Sequence, residues 1–178
     1  DEADGVVPLL LRDRLGGYIE EMGANESASA LAETYARALS EAFSPRMAAL
    51  DKALEEETLS TRDNWNANDL LQQLEKVAKL IKMRSHEREA YYVRLRGFNT
   101  VEDKSSDLET GLAKVDVALR SFVAEMKAQQ RWQDVVLVSV SEFGRALSPN
   151  ALGTDFGWGG HYFALGGSVK GGQMFGAY

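Results

Sequence analysis

Hydrophobic positions along the chain change period several times, and each change marks an element. Val6 to Met22 carries apolar residues at mixed helical spacing, and Ser27 to Leu54 is rich in Ala and Leu with Pro45 as an interruption, so both stretches read as helices. After the polar stretch Leu59 to Asn68, the segment Asp69 to Arg84 places Leu70, Leu74, Val77 and Ile81 on one face, with Asn68 available as an N-cap. Ala90 to Leu95 is short, aromatic and β-branched and ends in Gly97, which suits a strand entering a turn. From Asp107 to Gln129, Leu108, Leu112, Val115, Leu119, Phe122 and Met126 alternate by fours and threes, the spacing of one buried helical stripe. Asp134 to Val140 is a nearly unbroken apolar run, as in a strand buried on both faces. Strand, helix, strand is a crossover unit, and such units build parallel sheets with right-handed connections. The Gly-rich remainder, Ser148 to Tyr178, holds candidate strands at Tyr162 to Leu165 and near Gln173 to Phe175.

The expected architecture is therefore α/β: a mostly parallel sheet flanked by helices, with residues 1–85 mainly helical and residues 86–178 forming the α/β portion. There is no repeat or low-complexity linker, so residues 1–178 read as a single domain or as a bounded piece of a larger one. At 178 residues, with 44% hydrophobic and 26% charged positions, the chain has the makings of a folded core, and no apolar run approaches the ~20 residues that cross a bilayer. A net charge of −7 argues against nucleic acid as partner, because binding to its backbone needs clustered Lys and Arg. With no cysteine, disulfides and thiolate chemistry are excluded while every redox compartment stays open.

Ligands of open α/β sheets collect beyond the carboxyl ends of strands. Two such places are Gly97-Phe98-Asn99-Thr100-Val101 and Ser141-Glu142-Phe143-Gly144-Arg145, and a third candidate is the loop from Gly153 to His161. Glu142 reads either as a metal ligand or as an acid that pairs with Arg145 or caps the next helix. Asp155 reads as a ligand or as a turn residue bonding its own backbone. His161 can be an extra ligand or a satisfied imidazole, and His86 sits in a charged, solvated run. The stretch Gly166 to Gly172 lacks the spacing of a phosphate-binding loop and reads as a turn between strands. Trp158, Tyr162 and Phe163 read as core or interface aromatics.

Taken in order, Gly97 to Val101, Ser141 to Arg145, Gly153 to Gly160 and Leu165 to Gly172 resemble four motifs of a family called domain of unknown function 1501, within the alkaline phosphatase-like superfamily. The family pattern runs G-F-D-T-H, S-E-F-G-R, G-T-D-H-G-W-G-G and L-G-G-x-V-K-G-G, and the likeness is strongest from Leu70 onward. The resemblance implies a partial alkaline phosphatase-like fold in which Asp, Glu and His at strand ends hold two divalent metal ions that clamp an ester. Here Asn99 and Val101 replace the Asp and His of the first motif, and Phe156 replaces the His of the third. Glu142, Asp155 and His161 remain as a vestigial metal set, with Asn99 at a substituted position. A catalytic metal usually keeps three protein ligands, so two paired ions lack support. No Asp-rich strand-end motif that would carry the superfamily's nucleophile precedes Leu70.

The resemblance thus implies a non-catalytic structural or binding subunit with no cofactor, associated with other protein subunits. The alternative is a metal-dependent hydrolase of phosphate or sulfate esters, using zinc, manganese or calcium. Relatives of this kind are commonly exported, which makes an exported or organelle-lumenal location the expectation.

Overall fold

The structure is a computed structural model that describes residues 18–19, 21, 29–84, 88–98, 105–141, 143–150 and 153–176, without the side chains of 40–47 and 105–107. Its elements in chain order are helix α1 (Ala30–Glu56), helix α2 (Asp69–Met83), helix α3 (Ser105–Ala128), a 3₁₀ turn (Trp132–Asp134) and four strands. These are β1 (Val136–Val138), β2 (Gly144–Pro149), β3 (Thr154–Gly157) and β4 (Ala164–Gly166). Two compact units result, one from residues 1–59 and 72–94 and the other from residues 60–71 and 95–178.

In the first unit, α1 starts at Ser29, whose hydroxyl oxygen accepts from the Ala32 N–H at 3.4 Å, and it passes through Pro45 without a break. The expected interruption is absent from the backbone, although Pro45 still has no N–H to give the preceding turn. No basic residue stands in the last turn of α1 to meet its carbonyls. One lysine from α2 does so, Lys79 Nζ donating to the Leu54 carbonyl at 3.0 Å, and just beyond the helix end Lys82 Nζ donates to the Thr58 carbonyl and pairs with Glu57. Leu54, Leu74, Val77, Ala78 and Leu80 are buried here. Each buried Leu or Val contributes about 1.5–3 kcal/mol relative to an exposed one.

In the second unit, Asn68 caps α2 as the sequence suggests, its Oδ1 accepting from the Leu71 N–H at 3.0 Å. The long stripe of α3 is buried only toward its end: Phe122 and Met126 are inside and Val115 and Leu119 half-buried, whereas Leu108 and Leu112 are exposed. Glu125, absent from that stripe, is fully buried. Its carboxylate accepts from the Ser60 and Thr61 N–H groups at 2.9 and 2.7 Å, from the Thr61 hydroxyl at 2.7 Å and from the Gln129 amide at 2.7 Å. One side chain thereby fastens the loop that precedes α2 to α3.

The sheet corrects the sequence expectation. Among the described residues there is no parallel sheet flanked by helices; β1 pairs antiparallel with β4, and β2 pairs antiparallel with β3. The reason lies in the segment expected to supply the first strand. Residues 90–96 join no ladder, although Tyr91, Val93 and Leu95 are half-buried and their neighbours exposed. The main chain of Arg94 bonds instead to a side chain: its N–H donates to Gln73 Oε1 at 2.9 Å and its carbonyl accepts from Gln73 Nε2 at 3.0 Å. An amide side chain thus occupies the place of a neighbouring strand, and no crossover unit forms.

The apolar run expected to be buried on both faces is instead the edge strand β1, with Val136 57%, Val138 58% and Val140 73% exposed. The strand expected at Tyr162 to Leu165 begins later, as β4 at Ala164, while Gln173 to Phe175 form no strand. No helix among the described residues is long and apolar enough to cross a membrane.

Candidate functional site

Three of the four family-like motifs meet at the β2–β3 hairpin or continue directly from it. The hairpin pairs Gly144 with Gly157, Arg145 with Phe156 and Pro149 with Thr154, and its register shifts between Arg145 and Pro149. The turn is held by Asn150, whose N–H donates to the Gly153 carbonyl at 2.9 Å and whose Oδ1 accepts from the Gly153 N–H at 2.6 Å. This hairpin was missed in the sequence, although Pro149-Asn150 followed by Gly153 is a turn signature between two short runs.

Gly157 is required by close approach: a Cβ there would lie 2.5 Å from the Ala146 nitrogen. Beyond the hairpin, Gly159 and Arg145 bond reciprocally, N–H to carbonyl, at 2.7 and 3.0 Å. The Gly-rich motif is therefore laid directly along the S-E-F-G-R motif.

Arg145 is the centre of this arrangement. Its guanidinium donates to the Thr154 carbonyl at 3.0 Å and to the Phe98 carbonyl at 3.5 Å, and it lies over the Phe156 ring, 5.2 Å from the centroid. Phe143 completes the cluster, its ring 5.8 Å from that of Phe156. Ser141 shapes the approach, since its Oγ accepts from the Phe143 N–H at 3.3 Å and donates to the Phe143 carbonyl at 3.1 Å. Phe143 and Phe156 nevertheless stay exposed, as does Trp158. Phe143 and the role of Arg145 as an aromatic partner were not picked out from sequence. The signal available was the string of large apolar residues among glycines.

The expected metal set divides. Glu142 and Asn99 lie outside the described residues, as do Val101 and His86. Asp155 is exposed on β3, and its Oδ1 accepts from Asn150 Nδ2 at 2.7 Å, so the carboxylate supports the turn. His161 is exposed beyond Gly160. Among the described residues no three Asp, Glu or His side chains come together where a metal ion could be held. Of the expected ligands, the described ones, Asp155 and His161, form no such group with any other described acid or imidazole. What the arrangement offers is an aromatic and cationic surface on a braced hairpin.

No curated protein and no solved structure matches this chain. The family described as protein of unknown function (DUF1501) does match, over residues 14–178, and the chain belongs to that family.

Proposed function

We propose that this protein is a non-catalytic binding or structural subunit that descends from the alkaline phosphatase-like superfamily and works with other protein subunits. The observation that carries the reading is the environment of Phe156. At a position where the resemblance expects a metal-binding imidazole, Phe156 is 60% exposed, beside Phe143 and beneath Arg145. A phenyl ring can neither ligate a metal nor move a proton. An exposed aromatic pair with a fixed guanidinium is, by contrast, the kind of cluster that supplies much of the energy of a protein contact. Bracing by Thr154 and Gly159 lowers the conformational entropy lost when a partner binds.

The test is the divalent metal content of the purified protein after dialysis against metal-free buffer, with assays on phosphate and sulfate esters run alongside. The expected result is no stoichiometric zinc, manganese or calcium and no ester hydrolysis. Near-stoichiometric metal together with an activity lost in Glu142→Gln would overturn the reading and restore the hydrolase alternative.

A further inference from the structure

Residues 135–178 hold two acidic and two basic side chains, Glu142 and Asp155 against Arg145 and Lys170. That stretch is neutral, so the whole net charge of −7 falls on residues 1–134. β1 lies in this neutral stretch, and β4 occupies one of its sides. The bond from the Ser139 N–H to the Phe163 carbonyl, at 2.9 Å, continues the β1–β4 register. Main-chain groups alternate sides along an antiparallel strand. Those of Leu137 and Ser139 therefore turn toward β4, and those of Val136, Val138 and Val140 turn to the opposite edge. Among the described residues no strand meets that edge. Edge strands are commonly blunted by Lys, Pro or a bulge, and Val-Leu-Val has no such device.

Building on the reading of the chain as a non-catalytic subunit of an assembly, we infer that β1 pairs antiparallel with β1 of a second copy across a two-fold axis. The product is one four-stranded antiparallel sheet in the order β4, β1, β1, β4. The outward groups of Val138 fix the centre, so that Val138 faces its own copy and Val136 faces Val140. A two-fold contact presents the same surface twice, and an open strand edge is self-complementary in that sense. Charge selects the same contact: approach through residues 1–134 sets like charges together, whereas approach through β1 brings uncharged valines together. β-branched pairs directly opposite one another add cross-strand packing to the main-chain bonds.

Sedimentation over a range of concentrations, combined with amide hydrogen exchange, tests the inference on the unmodified chain. A monomer–dimer equilibrium is expected, with the Val136, Val138 and Val140 amides gaining protection as the dimer fills. Val138→Lys sets two ammonium groups across the axis and raises the dissociation constant by about tenfold or more. Leu31→Lys, on α1 and 81% exposed, leaves it unchanged. A monomer at every concentration, a dimer without protection at those three amides, or equal weakening by both lysines would each overturn the inference. Metal content reads the proposed function separately. A metal-free monomer removes only the pairing, and a metal-loaded esterase removes only the non-catalytic reading.

Discussion

Glu125 shows how one buried carboxylate can be made to prefer its charge. Burial pushes its pKa up, but the Ser60 N–H, the Gln129 amide and the hydroxyl and N–H of Thr61 all pull it down, and the net result is a lowered value. A group with a depressed folded pKa stabilises the protein at pH values above its unfolded pKa, and that contribution is lost as pH falls through the folded value. Urea unfolding in acid should therefore show stability falling below the ordinary carboxylate range, with a shallower fall in Glu125→Gln. At neutral pH the same substitution turns an amide NH₂ toward existing donors and costs about 1–3 kcal/mol. Gln73 is the neutral counterpart. Gln73→Leu leaves the Arg94 N–H and carbonyl without their amide partner, and a loss of about 1–3 kcal/mol is expected in the same assay. Neither role could be read from sequence, for a physical reason: Ser60 and Thr61 lie 65 and 64 positions from Glu125, and Arg94 lies 21 from Gln73. The cap at Asn68 was legible because its partner, Leu71, is three residues away.

Helices were legible as elements because a 3.6-residue period belongs to the segment itself, as α2 and α3 show. Strands were legible only as extended segments. Aromatic and β-branched content and an apolar run mark Ala90 to Leu95 and Asp134 to Val140 as strands, yet orientation and partners depend on how the chain returns, which neither signal encodes. The hairpin is a further case, since its identity rests on close main-chain contact more than on hydrophobic pattern. Gly157→Ala tests that contact. The added Cβ would meet the Ala146 nitrogen at 2.5 Å, main chain against main chain, with no flexible side chain to yield. The expected outcome is a hairpin that opens locally, seen as loss of the mutual ring-current shifts of Phe143 and Phe156. Helical circular dichroism should persist, because α1, α2 and α3 lie elsewhere in the sequence.

Charge is distributed over the whole molecule in a way that makes salt informative. The net −7 lies on residues 1–134, and the neutral remainder carries both the aromatic hairpin and the edge of β1 that no described strand meets. The site candidates in that remainder were legible as motifs, because glycine and acid spacing survives in sequence. The aromatic cluster was not, because Phe156 stands as a single residue in the sequence until Phe143 and Arg145 are seen beside it. Two copies that pair through β1 still repel at long range through their acidic portions. Raising ionic strength from about 0.01 M to about 0.15 M shortens the screening length from about 30 Å to about 8 Å. Self-association should therefore tighten over that range of sodium chloride, measured as a falling dissociation constant in sedimentation. An interface built on ion pairs has the opposite sign, because screening weakens the attraction that holds it. Valine edges carry no charge to screen, so only the repulsion between the remainders of the two chains responds. A dimer that loosens with salt would place the contact among the charged residues of 1–134 rather than at β1.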